Sequence, residues 1–260
     1  MLDIGVQAEA EQLLEDLGFN QLPISLDDIC NSISKEYLIE VQEQDMQSEN
    51  INGMSIGDTT QAKILINANI GNAHRRRFTK AHELGHVVLH IQTGRQSEFR
   101  CTGKDISSNS GNNNPFEKEA NIFASSLLMP SSLISNDIHR NDLSWKLIQD
   151  IKNMCDVSLE AAARRVISLS KEQCCLIIHK DNTMWNPIKS SSFKTYVSTQ
   201  PFPDNLDYSE ESDEFPGSLE KCDVMDWRID DEMELHYSSI HTHNSEFSRT
   251  MTLLLDCSDS

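Results

Sequence analysis

The sequence predicts an α+β fold, in which a mostly helical domain with a small N-terminal β-hairpin or sheet precedes a smaller β-containing domain. Helical spacing of apolar residues dominates the first two thirds of the chain. Runs of strand character lie at 51–57, 63–67, 174–179 and 250–257. We therefore assign residues 1–170 to a first domain and residues 171–260 to a C-terminal domain, whose expected role is regulation or partner binding.

Composition places the chain among ordinary globular proteins. Of its 260 residues, 38% are hydrophobic and 24% are charged, which is enough for a buried core. The formal net charge of −19 disfavours a polyanion as the main partner, so we expect no direct nucleic-acid binding. The acidic N-terminus is unlike a signal peptide and no apolar run is long enough to span a membrane, so we expect a cytoplasmic protein without membrane contact. Seven cysteines without framework spacing are typical of reduced thiols.

Helix and strand signals alternate in the N-terminal part. Residues 8–17 carry apolar side chains at helical spacing, and Gly18 then supplies a stop signal. Ser25 is a candidate N-cap for a second helix that continues through Ile33. The two strand-like runs that follow flank the turn-prone sequence DTTQ, so we expect them to pair as a hairpin. An edge of that hairpin would offer an extended peptide a strand with which to pair.

Helices are predicted again in the middle of the chain, after a polar stretch. Residues 97–114 are rich in Ser, Asn and Gly, which predicts a mobile loop. A helix is expected over residues 116–129, because a proline precedes it and another follows it. Residues 143–169 predict a helix, a short turn and a second helix. Farther on, residues 204–234 hold thirteen acidic side chains against only two basic ones.

The stretch FTKAHELGHVVLH, at residues 78–90, carries the strongest chemical signal. In a helix, residues four apart share a face, so His82 and His86 can direct their imidazoles at one metal ion. Glu83 can then reach a water molecule on that ion without being a ligand, as in the HExxH arrangement. The surrounding apolar residues would bury these polar groups, which is costly unless a metal satisfies them. The sequence therefore predicts a metal site.

The third ligand is expected from a different helix. His90 lies about 12 Å along an unbroken helix from His82, too far for both to bind one ion, so we interpret it as a structural residue. Glu117 and Glu119 are the alternatives in the following helix, and only one of them can face the metal. Glu117 shares its face with small side chains that permit close helix approach, whereas Glu119 is expected to be solvated.

Two motifs carry a resemblance to a known family. The segments RRRFTKAHELGH and EKEANIFASSLLMP, in this order, resemble the ImmA/IrrE family of zinc-dependent metallopeptidases, and the similarity covers about residues 8–170. The resemblance implies a zincin-like domain with one zinc ion per chain, bound by His82, His86 and Glu117. It also implies Glu83 as the general base and Asn121 as a partner that supports the ligands.

Three protein ligands leave a fourth zinc position for water, which is typical of a catalytic site. We therefore expect a regulatory zinc endopeptidase that makes a limited cleavage in a protein partner, which the resemblance implies to be a helix-turn-helix repressor or an antitoxin. The residue that stabilises the oxyanion stays open among seven candidates. They are His74, Arg75, Arg76, Arg77, Tyr237, His241 and His243.

Two other functions compete with this expectation. The helix pair at 143–169 has the outline of a DNA-binding motif, but its basic and acidic residues balance, so it lacks a footprint for phosphates. A zinc-stabilised interaction module without turnover, as one part of a toxin–antitoxin or DNA-binding regulatory system, is the second alternative. The presence of Glu83 argues against it, because an inactive site has no need of a general base.

Overall fold

Two compact units make up the chain in a computed structural model. It describes residues 2–48, 50–103, 105, 114–180, 183–185, 187–197, 202–210, 215–227, 229, 233–243 and 248–258. The first unit comprises residues 1–133 and 154–158, and the second comprises residues 134–153 and 159–260. These units divide the chain at positions other than residue 170. The predicted domain boundary after residue 170 therefore stays a prediction.

Two helices open the first unit, as the apolar spacing predicts. Helix α1 spans Leu2–Leu17 and helix α2 spans Leu26–Ile33. Gly18 follows α1 with a φ of +76°, a left-handed conformation that glycine adopts without a steric penalty. The backbone N–H of Asp28 donates to the Ser25 hydroxyl at 3.3 Å, so the predicted N-cap of α2 is present.

A four-stranded mixed sheet follows within the described residues. Its strands are β1 (Leu38–Gln44), β2 (Ile51–Gly57), β3 (Gln61–Asn67) and β4 (Glu98–Thr102), in the spatial order β1-β3-β2-β4. Strands β2 and β3 form the predicted hairpin, and the Asp58 carboxylate accepts from the backbone N–H groups of Thr60 and Gln61 in its turn. The hairpin has no free edge, because β1 pairs with β3 and β4 pairs with β2. The expectation of a free hairpin edge is therefore wrong.

Strand β4 also corrects the prediction of a loop over residues 97–114. Phe99 and Cys101 are buried on one face of the strand, while Arg100 between them is exposed. This alternation gives the short strand a buried face, although the surrounding composition is that of a loop. Residues 104 and 106–113 of the same stretch lie outside the described residues, as do 211–214, 228 and 230–232 of the acidic segment.

Helix α3 (Ala73–His86) and helix α4 (Pro115–Leu128) pack closely against each other. Asn72 caps α3 by accepting from the backbone N–H of Arg75 at 2.9 Å. A side chain at Gly85 would have its Cβ 3.1 Å from Phe123 and 3.3 Å from the backbone of Ala120. The absence of a side chain at Gly85 therefore allows the close helix approach, and a single π-helical turn, Val87–Ile91, continues α3.

Helices and a second sheet form the second unit. The helices are α5 (Ser131–Arg140), α6 (Trp145–Cys155) and α7 (Leu159–Leu169). The first three residues of α5 and the last two of α6 belong to the first unit. The strands are β5 (Cys174–Lys180), β6 (Thr183–Met184), β7 (Ile188–Lys189), β8 (Ser209–Glu210), β9 (Glu220–Lys221), β10 (Leu235–His243) and β11 (Ser248–Asp256). The long antiparallel strands β5, β11 and β10 lie side by side at its centre.

The predicted α+β class, with helices and a small sheet before a β-containing C-terminal part, is confirmed. Among the described residues, none of the helices combines the length and the apolar character needed to cross a bilayer.

Candidate metal centre

Helix α3 brings together the two histidines that the sequence singled out. Both rings are fully buried, and the Nε2 atoms of His82 and His86 lie 3.1 Å apart. Their spacing of four residues places them one above the other on the face that packs toward α4. The local sequence alone accounts for this half of the site.

Helix α4 supplies the third group, and it is Glu117. Its Oε2 lies 3.1 Å from Nε2 of His82 and 3.4 Å from Nε2 of His86. The close approach of the helices at Gly85 makes this meeting possible. The structure therefore brings the three predicted ligands to one point.

A fourth donor, which the sequence analysis missed, comes from the sheet. Cys101 on β4 is fully buried, and its Sγ lies 3.3 Å from Nε2 of His86 and 4.0 Å from Oε1 of Glu117. One donor atom from each of the four residues lies within 4.8 Å of every other, and we call this set the metal cluster: His82, His86, Cys101 and Glu117. The only sequence signal for Cys101 was its place in the alternation of a strand whose surroundings resemble a loop.

Asn121 orients the first histidine. Its side-chain amide donates to the backbone carbonyl of Asp105 at 2.8 Å, so its oxygen is left to face Nδ1 of His82 at 3.0 Å. The Nδ1–H of His82 therefore donates to Asn121, and the Nε2 lone pair is directed at the cluster. This contact is the kind of support that holds a metal-binding histidine in one tautomer.

A chain of buried groups orients the second histidine. Nδ1 of His86 lies 3.1 Å from Nδ1 of His90, and Nε2 of His90 lies 2.8 Å from Oε2 of Glu119. Arg95 donates to the same oxygen at 2.9 Å. Because the Nε2–H of His90 donates to Glu119, its Nδ1 can accept from the Nδ1–H of His86. The Nε2 lone pair of His86 is therefore directed at the cluster as well.

This chain corrects two expectations. Glu119 was expected to be solvated, but only 5% of it is exposed, because its carboxylate binds His90 and Arg95. His90 was placed on an unbroken α-helix, but the backbone turns as a π-helix after His86. It does lie outside the cluster of candidate ligands, as expected, and its ring supports His86 instead.

Burial and neighbouring charges set the protonation of the cluster. Burial lowers the pKa of His86 to about 4, so the ring is neutral at neutral pH. Burial opposes ionisation of Glu117, but its close contacts with the His82 and His86 rings prevail and lower the pKa of its carboxyl far below the usual range. Burial raises the pKa of the Cys101 thiol well above its usual range. Neutral imidazoles and an ionised carboxylate are the forms that bind metals.

Glu83 lies beside the cluster, against strand β2. Ser55 donates to its Oε2 at 2.9 Å, whereas its buried Oε1 has no hydrogen-bond partner among the described residues. A Cβ at Gly53 would come within 2.4 Å of Oε1, so glycine is needed at that position. Burial raises the pKa of Glu83 to about 7. The carboxyl is therefore poised to exchange a proton near neutral pH.

A metal ion fits this arrangement. The Nε2 atoms of His82 and His86 both present lone pairs, yet they are 3.1 Å apart, and a carboxylate oxygen of Glu117 lies as close. Lone pairs at this distance repel one another unless a proton or a cation lies between them. In the tautomers described above neither Nε2 carries a proton, so these residues fit a bound cation.

Five of the seven candidates for stabilising an oxyanion are engaged with other partners. His74 pairs with Asp156 at 3.5 Å, the hydroxyl of Tyr237 accepts from the backbone N–H of Asp207 at 3.2 Å, and Nδ1 of His241 lies 2.9 Å from the Thr250 hydroxyl. Arg76 donates to the backbone carbonyl of Ile70 at 2.8 Å, and Arg77 donates to that of Ile24 at 2.7 Å. Tyr237 and His241 belong to the second unit, and the side chain of His243 lies outside the described residues.

Comparisons with known proteins agree with this geometry. The family model described as IrrE N-terminal-like domain, Peptidase_M78, matches residues 35–166, about half of the chain. Among solved structures, a Mycobacterium tuberculosis transcriptional regulator is similar, with 12% sequence identity and a TM-score of 0.52 over 97% of this chain and 88% of that one. At this identity the similarity is one of fold. No curated protein matches the sequence.

Proposed function

The chain belongs to the Peptidase_M78 family of IrrE N-terminal-like domains, and from this premise we propose that it is a zinc-dependent endopeptidase. The observation that supports the proposal best is the convergence of His82, His86 and Glu117 beside the buried carboxyl of Glu83. Two imidazoles and one carboxylate are a typical ligand set of catalytic zinc.

Each residue has a chemical role in this proposal. His82, His86 and Glu117 would hold the zinc ion, with Asn121 and His90 fixing the two rings. When bound, zinc supplies a Lewis acid that polarises a peptide carbonyl and makes water a better nucleophile near neutral pH.

Glu83 would act as the general base. Its free Oε1 can take a proton from the attacking water, and the carboxyl can then pass that proton to the leaving amine. A pKa of about 7 suits both steps, because the group gains and loses a proton easily at neutral pH. Ser55 and the close contact at Gly53 hold the carboxyl in place.

We propose that the substrate is an extended segment of a protein partner, such as a helix-turn-helix repressor or an antitoxin. Strand β4 is an outer strand of the described sheet and carries Cys101 of the metal cluster. A peptide that adds to this edge by backbone hydrogen bonds would pass the cluster and align one carbonyl with it. The acidic segment 204–234 would then help to dock a basic surface of the intact partner.

Co-expression with transcription factors encoded beside its gene tests the proposal. We expect one of them to be cut at a single bond by the wild-type protein and by Glu36→Gln, which alters an exposed glutamate outside the site. Glu83→Gln should slow cleavage by at least about a hundredfold while zinc remains bound. Equal cleavage by Glu83→Gln and wild type would contradict the assignment of the general base.

A second candidate function rests on a specific observation, the presence of Cys101 in the cluster. Four protein donors around one ion are typical of a structural zinc site, whereas a catalytic site keeps one position open. A zinc-stabilised interaction module without turnover would have such a closed site. In that case, no partner is cleaved, and Glu83→Gln leaves partner binding unchanged.

A further inference from the structure

We propose that the thiolate of Cys101 is the fourth ligand of the metal and keeps the proposed peptidase in a closed state. This inference rests on the proposed function, because it concerns the same ion. It assigns a role to the one member of the metal cluster that three-ligand zinc chemistry does not use.

The separations of Cys101 and Glu117 from His86 match four-coordinate binding, whereas Sγ of Cys101 lies 4.0 Å from Oε1 of Glu117 and the two Nε2 atoms lie 3.1 Å apart. Zinc bonds of about 2.0 Å to nitrogen or oxygen and about 2.3 Å to sulfur, at tetrahedral angles, place neighbouring donors about 3.3–3.7 Å apart. The Sγ atom of Cys101 lies 3.3 Å from Nε2 of His86, and Oε2 of Glu117 lies 3.4 Å from the same nitrogen. The thiol is therefore about as far from Nε2 of His86 as the carboxylate of Glu117, the predicted third ligand, is.

Strand pairing fixes the thiol in this position. Cys101 is the register partner of Gly53, the residue whose lack of a side chain makes room for Glu83. Immediately after Cys101, both the backbone N–H and the hydroxyl of Thr102 donate to the Asp105 carboxylate, at 2.8 and 2.6 Å. The end of β4 is thereby tied to the turn whose carbonyl accepts from Asn121.

The chemistry of the proposed bond between the Cys101 sulfur and the metal follows from the burial of the site. Without metal, burial favours the neutral thiol. On metal binding, the S–H bond breaks, a sulfur–metal bond forms and the proton leaves to solvent.

The consequence is a latent peptidase. With His82, His86, Glu117 and Cys101 all bound, the ion has no position for water, so Glu83 has no proton to accept. Turnover, including the cleavage expected of the wild-type protein on co-expression with its partner, therefore requires that the sulfur leave the ion. A thiolate ligand also makes the site softer, which favours zinc over manganese or magnesium.

Cobalt substitution of the full-length protein tests the inference. A cysteine ligand produces an intense thiolate-to-cobalt charge-transfer absorption in the near ultraviolet. We expect this band in the wild-type protein and in Cys30→Ala, which removes another buried cysteine of the first unit. The band should be absent from Cys101→Ala and from the more conservative Cys101→Ser, although both still bind one ion.

Binding of acetohydroxamate, a small metal-chelating probe, provides the second readout. It needs open coordination positions, so we expect it to bind cobalt-loaded Cys101→Ala at least about tenfold more tightly than wild type or Cys30→Ala. Zinc-loaded Cys101→Ala should likewise cleave the partner identified by co-expression at a higher rate than the zinc-loaded wild-type protein does.

The outcomes separate this inference from the proposed function. Bound cobalt without the charge-transfer band in the wild-type protein would overturn the role of Cys101 and leave the three-ligand peptidase in place. Equal affinity of wild type and Cys101→Ala for acetohydroxamate would overturn it as well. Failure of the wild-type protein to bind any metal would overturn the proposed function and this inference together.

Discussion

Two regions of the molecule are buried equally deeply but are stabilised by opposite means. The metal cluster of the first unit consists of polar donor groups, whose burial costs free energy unless a partner satisfies them. The second unit instead has an apolar core around Trp227, which burial alone stabilises. We call this set the C-terminal core: Cys175, Ile177, Met184, Phe193, Val197, Trp227, Ile229, Leu235, Tyr237 and Leu254. We therefore expect the metal cluster, and not the C-terminal core, to depend on a bound ion.

Metal removal should give the largest contrast between the two regions. A ten-thousandfold excess of free zinc over its Kd stabilises a folded protein by about 5.5 kcal/mol, and chelation removes that contribution. Hydrogen exchange followed by mass spectrometry should show lost protection in peptides from α3 and α4. Peptides from β5 and β11 should keep theirs, and equal loss in both would contradict the comparison.

Truncation of Trp227 should produce the converse effect. This side chain is only 1% exposed, and Trp227→Ala should destabilise the C-terminal core by about 4 kcal/mol, because it leaves a cavity. Zinc content, measured by atomic emission, should stay at one ion per chain. Tyr196→Ala is the control, since its side chain is 73% exposed and its loss should change stability by about 0.5 kcal/mol or less. Zinc loss in Trp227→Ala would show that the regions are not independent.

The buried carboxyl of Glu83 predicts a pH dependence of stability between about pH 4 and pH 8. Burial raises its pKa to about 7, so the folded metal-free protein holds a proton that the unfolded chain releases above its ordinary pKa of about 4.3. This contribution to stability is present at low pH and is lost as pH rises through about 7.

Denaturant unfolding of metal-free protein tests that dependence. Relative to wild type, Glu83→Gln should be more stable at pH 8 than at pH 4 by a difference of about 3 kcal/mol, because it removes the buried ionisation. Glu36→Gln, at an exposed position, serves as the control. A Glu83→Gln effect that is the same at both pH values would refute the prediction.

Loss of His90 should have the smallest effect, because this residue only supports a ligand. His90→Ala removes the acceptor for His86, and we expect metal affinity to fall by about 10–100-fold. Glu119→Gln should act in the same direction, since it weakens the next bond in the chain. His139→Ala, at an exposed position of α5, should leave affinity unchanged in a competition assay with a chromogenic chelator. An unchanged metal affinity in His90→Ala would contradict the proposed role of His90 in supporting His86.

Much of the helical structure around the centre could be predicted, because its signals are local. Ser25 and Gly18 marked helix ends through their own backbone preferences, and these interactions span only a few residues. Glu117 could be preferred over Glu119 as the group facing the metal because their directions on one helix differ. The burial of Glu119 escaped the same reasoning, because it depends on Arg95 and His90 from another element.

The sequence by itself determined that His82 and His86 share a helix face with Glu83 between them, since the α-helical period follows from backbone geometry. Only the tertiary structure decided that Cys101 joins them. Its place depends on the pairing of β4 with β2, and strand pairing is set by long-range hydrogen bonds and shared burial rather than by any local preference. The same pairing made the predicted hairpin an interior part of the sheet, and it decides whether the metal centre has three protein donors or four.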